Sequence, residues 1–554
     1  MRTKLTSLLF VLPTMWLMGQ VDLTPDEWRQ DLRFLQKTVH TDHSFLFKKI
    51  SAKDFDAQVD ELYEAIPDLE DHEVIVGLAR IVSSFAYGHT SIWLTGWDPN
   101  NLYGFHQMPF NLYHYSDGIY IQGVHKRYKK TLGAKVLKVE SIPIGQVLQA
   151  IRPVVPVENE QFFKAYGVNY LGTPEVLHAQ GVMEKLKTSV TLTLEKDGKI
   201  FEQTFAPVEI DMSPIEYGHI HQQGVWLDAR DTTETPLWLK NLERIYYFEY
   251  LTEHKTIYVR HSQIQDDPEE NIPDFYTRVF DFIQNNDVER LILDVRLNGG
   301  GNNYKNKSII TSIILSEKIN KSGKFFVILG RRTFSACQNL VNELDTYTEA
   351  IFVGEPTAEN INFYGDNRLV ELPNSKIPAR LSFAWWQDKP QWENGPWLAP
   401  HLAVDMSFEE YKNNHDPTLE AIWKYDSSSA VVDPWQYLKD LYMAGKKDQV
   451  TPEAVRLVND PRYRYYPFED RFNQEGYNLL ANQQFEPAIF VLTMNNELFP
   501  DSANTWDSLA EAYWKAGQID KAITLYEKAI QMDPDGPTGD NARIMINRIK
   551  NEEN

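Results

Sequence analysis

A serine and a run of glycines each follow a short apolar segment, and both could take part in acyl chemistry. Residues 291–295 and 325–329 are apolar runs bounded by turn signals, and residues 306–318 between them have the Ile and Leu spacing of a helix. This strand-helix-strand pattern predicts two parallel strands in a buried sheet. Glycines 299–301 follow the first strand, and Ser335 follows the second at the predicted start of a helix.

These residues fit a nucleophile beside an oxyanion hole. Because Gly299 and Gly300 have no side chains, their backbone N–H groups can approach a ligand closely. A hydroxyl at Ser335 would lie near the positive end of a helix, where it could act as a nucleophile. The alternative is structural: the glycines turn the chain and Ser335 caps the helix. Cys337 follows closely, but its position is more typical of a buried helix thiol than of a nucleophile.

Three motifs resemble the core of the tail-specific or carboxyl-terminal processing serine peptidases, which include the tricorn core protease and the retinoid-binding-protein-like repeats. In the family's order and spacing, they are Asp-x-Arg-x-Asn-Gly-Gly at 294–300, Thr-Phe-Ser-Ala at 333–336 and Val-Gly-Glu-Pro-Thr at 353–357. The resemblance implies a Clp/crotonase-like α/β catalytic domain in which Ser335 attacks a peptide carbonyl. It also implies that the amide of Ala336 and one from Gly299 or Gly300 hold the oxyanion.

A histidine near the N-terminus is the candidate base. Residues 86–92, Ala-Tyr-Gly-His-Thr-Ser-Ile, resemble the Asp-Gly-His-Thr element of the same peptidases, with Tyr87 in place of the usual Asp. In the tricorn-like branch the matching histidine is the general base, so the resemblance assigns this role to His89. Without the resemblance, a lone histidine after glycine would indicate a structural hydrogen-bonding role.

The segment after the Gly-Glu-x-Thr turn bears on which catalytic machinery is available. The processing-peptidase branch has a lysine base there, but the matching position is Asn360, whose amide cannot accept the proton. A histidine base is oriented by an acidic residue. Residues 392–402 resemble the family's Glu-Asn-x-Gly-Val-x-Pro-Asp segment, which assigns that acid to Glu393. His401 stands where the family has Asp.

The chain is long enough for several domains, and the sequence predicts a multidomain α/β protein. Helical spacing before the His89 element, alternating apolar residues after it and a repeat-like tail indicate the boundaries. The predicted order is a signal peptide at 1–19, an N-terminal helical region at 20–114, a PDZ-like β-domain at 115–210, a Clp/crotonase-like core at 211–425, a linker at 426–466 and a helical repeat domain at 467–554. A PDZ-like domain would capture substrate by strand addition, or it would only space its neighbours.

The tail has the period of tetratricopeptide repeats. Six positions recur thirty-four residues later in matching residue classes: Phe472, Gly476, Leu479, Ala488, Leu492 and Pro500 become Trp506, Ala510, Tyr513, Ala522, Tyr526 and Pro534. Two copies are few for such a solenoid, so they should pack on a neighbouring helix or on the core. Such repeats could bind a protein partner or act as a structural cap.

Charge and composition limit the classes of molecule that this chain is expected to bind. The 55 basic and 78 acidic residues give a net charge of −23, which argues against a nucleic-acid or anionic-membrane partner. Two histidine pairs, His40 with His43 and His219 with His221, lack the spacing of a zinc site, so no metal is predicted. The proposed chemistry needs no cofactor.

The first residues predict export. A basic start, an uncharged apolar run over residues 5–18 and Gly19 resemble a secretory signal. Leu17 is a poor residue before a cleavage site, so an uncleaved membrane anchor is the alternative. Export would place the chain in the periplasm or outside the cell. With Cys337 as the sole cysteine, the chain has no internal disulfide.

Together these observations predict an exported serine endopeptidase acting on peptides or proteins, with Ser335 as nucleophile, His89 as base and Glu393 as its orienting acid. Two alternatives remain open. One is a catalytically inactive peptide- or lipid-binding protein on the same fold, which the departures at Tyr87, Asn360 and His401 favour. The other is a crotonase-like acyl enzyme in which the glycine amides hold a thioester enolate.

Overall fold

The computed structural model of the 554-residue chain describes residues 23–94, 103–208, 215–392, 395–428 and 430–552. The predicted signal peptide lies outside these residues. Three helices open the described chain: α1 Pro25–Asp42, α2 Ala52–Ala65 and α3 Asp71–Ser83. Thr24 caps α1 through a reciprocal pair with Glu27, and Pro25 occupies the first turn, where its missing N–H has no partner to lose.

An antiparallel sheet with helices inserted between its strands follows. The elements are β1 Phe110–Tyr115, β2 Gly118–His125, β3 Lys135–Val139, β4 Ile142–Pro143, α4 Ile144–Ile151, α5 Glu160–Tyr166, α6 Pro174–Ala179, β5 Val190–Lys196, β6 Lys199–Phe205, β7 Ile215–Glu216, β8 His219–Ile220 and β9 Trp226–Asp228. The sheet order is β1-β2-β3-β5-β6, with β4 on β3 and β9 on β2, while β7 pairs only with β8. The helices α5 and α6 fall within the region 115–210 that the sequence predicts to be PDZ-like, and that assignment stays a prediction.

A mostly parallel sheet forms the next layer. Its elements are β10 Tyr246–Leu251, β11 Thr256–His261, α7 Ile272–Asn285, β12 Arg290–Asp294, α8 Asn306–Ile314, β13 Phe325–Leu329, α9 Ala336–Tyr347, β14 Ile351–Gly354, β15 Phe363–Glu371, β16 Pro378–Trp386, β17 Leu402–Ala403, α10 Phe408–Lys412 and α11 Pro417–Trp423. The order is β10-β11-β12-β13-β14-β17, and only the β10–β11 pair is antiparallel. The strand β12, the helix α8 and the strand β13 confirm the predicted strand-helix-strand unit. They also confirm the predicted α/β class. Because helices cover both faces, these strands are continuous apolar runs.

The β15–β16 hairpin leaves this sheet and packs on the N-terminal helices. Buried residues of the hairpin share one apolar core with α1, α2, α3 and the antiparallel sheet. At its tip, both carboxylate oxygens of Asp31 in α1 accept backbone N–H bonds, from Asn374 and Ser375, each at 2.8 Å. Close to the tip, Arg380 near the start of β16 exchanges two backbone hydrogen bonds of 2.9 Å with Ser91. The hairpin therefore ties the chain just after His89 to the core domain.

Antiparallel helices complete the chain: α12 Pro434–Met443, α13 Lys447–Val458, α14 Phe468–Ala481, α15 Phe485–Leu498, α16 Ala503–Lys515, α17 Ile519–Met532 and α18 Pro537–Glu552. The region predicted as a linker thus contains α12 and α13, whose apolar residues share a core with Phe468 and Phe472 of α14. Gly476 permits close packing of α14 on α15, since a Cβ there would lie 2.4 Å from Leu492. Among the described helices, none combines the length and apolarity of a membrane span.

The contact between Asp31 and the hairpin tip gives a stability prediction. Asp31 is fully buried and accepts two charge-assisted hydrogen bonds, so Asp31→Ala should lower the free energy of unfolding by about 2 kcal/mol or more. Thermal denaturation would measure the loss. Asp26→Ala, at an exposed position of the same helix, is the control and should change stability by less than about 0.5 kcal/mol. Equal effects of the two variants would contradict a role for Asp31 at the hairpin.

Candidate active site

Ser335 occupies a strained turn between β13 and α9. Its backbone has φ 56° and ψ −128°, a region that residues other than glycine rarely adopt. Neighbouring contacts hold this conformation: Thr333 donates its hydroxyl to Val295 O at 2.9 Å, and the Phe334 amide donates to Asn298 O at 3.1 Å. Asn339, one turn into α9, donates its amide to Ser335 O at 3.2 Å. The turn therefore presents the serine side chain at the helix N-terminus, as the sequence predicted.

The glycine loop lies directly against this turn. A Cβ on Gly300, which has φ 100°, would stand 2.6 Å from Ser335 Cβ and 2.9 Å from the Ala336 nitrogen. Gly301, with φ 144°, passes equally close to Ile264, because a Cβ there would lie 2.3 Å from its carbonyl oxygen. Only glycine satisfies both the backbone conformation and the space at these positions. The loop after β12 and the serine turn after β13 thus meet at one edge of the sheet.

Two of the three predicted oxyanion donors remain available. The amide of Gly300 donates to Asn298 Oδ1 at 2.9 Å, so it is already engaged. The amides of Gly299 and Ala336 donate to no other described residue, and Gly299 is exposed. Ala336 is the first residue of α9, where backbone N–H groups have no partner within the helix. The geometry therefore favours Gly299 over Gly300 as the glycine donor.

His89 lies beside the serine turn, as the sequence predicted. Its ring stacks on Phe334, the neighbour of Ser335, with centroids 4.7 Å apart and an interplanar angle of 24°. Gly88 lets the segment approach, since a Cβ there would stand 2.8 Å from Phe334 Cζ and 2.5 Å from Phe162 Cε2. The fold therefore joins regions of the chain that are separated by more than two hundred residues.

A carboxylate that the sequence reasoning missed joins His89 to Ser335. One oxygen of Glu359 accepts the Ser335 backbone N–H, and the other lies 3.4 Å from His89 Nε2. The Glu359 side chain is 0% exposed. One sequence signal could have identified Glu359: it directly precedes Asn360, the position that matches the lysine base of the processing peptidases. Glu393, the predicted acid, lies outside the described residues, so its role stays a prediction.

A second carboxylate and a lysine complete the cluster. The Glu158 carboxylate, just before α5, accepts hydrogen bonds from the backbone N–H of Gly88 at 2.8 Å and from the backbone N–H of Asn360 at 3.4 Å. Lys49 reaches in from the N-terminal region and donates to Ala86 O at 2.8 Å. When the side-chain amide of Asn360 is turned so that its oxygen faces Lys49, this oxygen accepts a hydrogen bond from Lys49 Nζ, also at 2.8 Å. Neither Glu158 nor Lys49 could be found from local sequence, because each is distant in the chain from the motifs.

Burial controls the charges in this cluster. Desolvation lowers the pKa of His89 below its usual value, so the imidazole is neutral at neutral pH. Desolvation raises the pKa of Glu359 well above its usual value, although the Ser335 N–H and Lys49 oppose the shift. Burial, with the nearby charge of Glu359, raises the pKa of Glu158 to about 8. Desolvation lowers the pKa of Lys49, while both carboxylates oppose that change.

Other predicted residues lie elsewhere or have structural roles. His401 Nδ1 accepts the backbone N–H of Phe352 at 2.9 Å, which is a structural contact at the sheet. Cys337 is fully buried, and burial raises the pKa of its thiol. Ser335 Oγ makes no hydrogen bond to His89 in the described structure, where Nε2 faces Glu359. In the described part of the chain, no group of three or more His, Cys, Asp or Glu side chains could hold a metal ion.

The raised pKa of Glu158 predicts a pH-dependent stability. Because the folded state holds this proton up to about pH 8 whereas the unfolded state releases it near pH 4.5, the carboxyl destabilises the fold increasingly as the pH rises between these values. Glu158→Gln removes this titration, so its stability relative to wild type should increase from pH 5 to pH 8 by roughly 2 kcal/mol.

Thermal denaturation at the two pH values would measure the difference. Glu160→Gln, an exposed position two residues later, is the control and should show a much smaller change. A difference between Glu158→Gln and wild type that stays constant or falls with pH would contradict the assigned charge state.

Comparisons with known proteins bear on the tail and on the fold. A tetratricopeptide repeat model matches residues 503–535, which lie in α16 and α17. No curated protein matches the sequence.

Solved structures similar to this chain include proteases of the group that the motifs resemble. Mature CPAF complexed with lactacystin has 12% identity and a TM-score of 0.49, and the match covers 70% of this chain and 95% of that chain. The photosystem II D1 C-terminal processing protease has 13% identity and a TM-score of 0.32, over 70% and 94% of the two chains. The tricorn protease has 13% identity and a TM-score of 0.35, over 72% of this chain and 36% of its own.

Proposed function

We propose that this chain is an exported serine peptidase in which Ser335 is the nucleophile and His89 the general base. The observation that carries the proposal is the buried carboxylate of Glu359, which contacts the Ser335 amide and the His89 ring at once. A histidine base needs such a carboxylate to fix its tautomer and stabilise its charged form. The glycine loop beside Ser335 supplies the remaining part, a site for the oxyanion.

The reaction follows from these positions. Ser335 Oγ attacks the peptide carbonyl while His89 takes its proton, and the oxyanion is held by the amides of Gly299 and Ala336. With Nε2 turned to Glu359, Nδ1 is the ring nitrogen left to accept that proton. The imidazolium that forms 3.4 Å from Glu359 favours the ionised form of this carboxyl, against the burial that raises its pKa. His89 then donates the proton to the leaving amine, and water hydrolyses the acyl-enzyme by the reverse sequence of proton transfers.

A second function has one specific observation in its favour. Since Ser335 Oγ and His89 are not hydrogen-bonded in this structure, an inactive peptide-binding protein on the same fold is the alternative. Catalytic hydrogen bonds often form only in the substrate complex, and the hydrogen bond between Ser335 and His89 would have to form in this way. The thioester-enolate alternative would also use the glycine amides, but it assigns no role to Glu359 or to His89.

The surrounding domains fit a protease of exported proteins. The antiparallel sheet could present an edge to an extended peptide, and the repeat helices could bind a protein partner. The apolar N-terminal segment carries the proposal of export, with an uncleaved anchor as the variant form.

Labelling of Ser335 tests the nucleophile. A fluorophosphonate should modify the wild-type protein at Ser335, and Ser335→Ala should take no label. The same variant should hydrolyse denatured casein more slowly by a factor of about 10³ or more. Cys337→Ala is the matched control two residues away, and it should keep the label and most of the activity. An unlabelled wild-type protein would favour the binding function, and loss of activity in Cys337→Ala alone would point to the thiol.

Lys49 should set the lower pH limit of activity. Its positive charge favours ionised Glu359, so Lys49→Gln should raise the pKa of that carboxyl and move the acidic limb of kcat/KM to higher pH. The pH profile from 5 to 9 measures this shift. Lys53→Gln, an exposed position in α2, is the control and should leave the limb in place. A uniform loss of activity without a shift would mean that Lys49 acts only on stability.

A further inference from the structure

A cleft runs along the glycine loop beside Ser335 and contains an arginine that forms no ion pair with any Asp or Glu among the described residues. The cleft has a volume of about 340 Å³, and its wall includes Tyr166, Tyr217, Gly299, Gly300 and Arg332. Because Gly299 and Gly300 also line the proposed oxyanion site, a peptide reacting at Ser335 would place neighbouring residues in this cleft. The inference below therefore rests on the proposed peptidase function.

The guanidinium of Arg332 is held in place without being neutralised. It stacks over the ring of Tyr166 with 5.1 Å to the centroid. It also lies against the β7–β8 turn, where a Cβ on Gly218 would stand 2.1 Å from its nearest nitrogen. Gly218, with φ 83°, leaves the room that this contact requires. A planar cation held by an aromatic face and a glycine keeps its N–H edges for a ligand.

The neighbouring arginines show what Arg332 lacks. Arg331 is buried in a double contact with Glu355, and Arg296 contacts Asp294 and Asp416 at 2.9 Å each. Among the described residues, no Asp or Glu forms an ion pair with Arg332.

The chain contains many carboxylates that could pair with an arginine. Acidic residues outnumber basic ones by 78 to 55, and Glu216 lies in the adjoining hairpin. Burial raises the pKa of Glu216, and the cation that opposes this shift is Arg260, not Arg332. The cleft thus holds a positive charge that no described carboxylate pairs with, beside the proposed site of peptide cleavage.

We infer that Arg332 binds a carboxylate of the substrate and gives the enzyme a preference for acidic peptides. A guanidinium can donate two parallel N–H bonds to one carboxylate, and a held guanidinium loses little entropy on binding. The carboxylate comes from an Asp or Glu side chain near the cleaved bond or from the free C-terminus of the peptide. Both sources share the chemistry, and cleavage products distinguish them.

The test maps cleavage sites in a library of denatured-proteome peptides by mass spectrometry, with wild type, Arg332→Gln and Arg332→Lys. Wild type should cut with Asp or Glu enriched roughly tenfold at one fixed position, or at a fixed distance from free C-termini. Arg332→Gln should abolish the enrichment, and Arg332→Lys should retain part of it, because lysine keeps the charge without the planar fork. Amidation of the peptides abolishes cutting only if the C-terminus is the ligand.

Controls separate this inference from the proposed function. Arg368→Gln removes one exposed positive charge in β15 and should leave the cleavage preference unchanged. Fluorophosphonate carries no carboxylate, so it should label Ser335 in Arg332→Gln as fast as in wild type, which shows that the site is intact. Cleavage by wild type without any acidic or C-terminal preference would overturn the role of Arg332.

If wild type neither cuts peptides nor takes the label, the peptidase proposal fails and binding decides the role of Arg332. The probes are N-acetylated hexapeptides with Glu or Gln at the varied position, each as free acid and as amide. Calorimetry should show tighter binding of the carboxylate-bearing probes to wild type, with the difference lost in Arg332→Gln. Equal binding of all probes would overturn the inference.

Discussion

The arrangement of this site depends on one buried carboxylate. Glu359 is removed from water, and an isolated ionised carboxylate in such surroundings would cost several kcal/mol. The Ser335 backbone N–H and the charge of Lys49 oppose this cost. Because these two groups belong to distant parts of the chain, the carboxylate is stabilised only when both parts have assembled around it.

This requirement links catalysis to the assembly of several layers. Phe334 and Ala358, which flank the site, belong to the same apolar core as the N-terminal helices and the antiparallel sheet. The β15–β16 hairpin reinforces the link, because its tip is bound to Asp31 and Arg380 near the tip is bound to Ser91. The parallel sheet supplies the serine turn and the glycine loop, but it does not supply the histidine. A core domain alone would therefore hold the proposed nucleophile and oxyanion site without the proposed base.

The sequence predicted the parts of the site that depend on local pattern. Apolar runs located β12 and β13 to within a residue, since buried parallel strands are continuous and need no partner to be recognised. The motif around His89 indicated a base whose position only the fold could test.

The sequence did not predict the roles of Glu158, Glu359 and Lys49. These roles arise from contacts across the fold and from burial, and neither of these leaves a local pattern in the sequence. Helices α12 and α13 escaped for a different reason. The region 426–466, predicted as a linker, contains two prolines that do not end a helix, since Pro434 starts one helix and Pro452 lies within the other.

The departures at Tyr87 and Asn360 from the family pattern converge on one group. Lys49 Nζ lies 4.4 Å from the centroid of the Tyr87 ring and, with the amide turned toward it, 2.8 Å from the oxygen of Asn360. A lysine from the N-terminal region thus reaches the position where the processing peptidases have their own lysine. Replacing buried ionisable groups by apolar ones of similar size often increases stability, so a scaffold without chemistry would gain little from this cluster. Groups whose pKa values are shifted by burial and by specific partners are typical of functional sites. Tyr87 and Asn360 therefore act together in holding Lys49 beside the two buried carboxyl groups, and they are not unrelated departures.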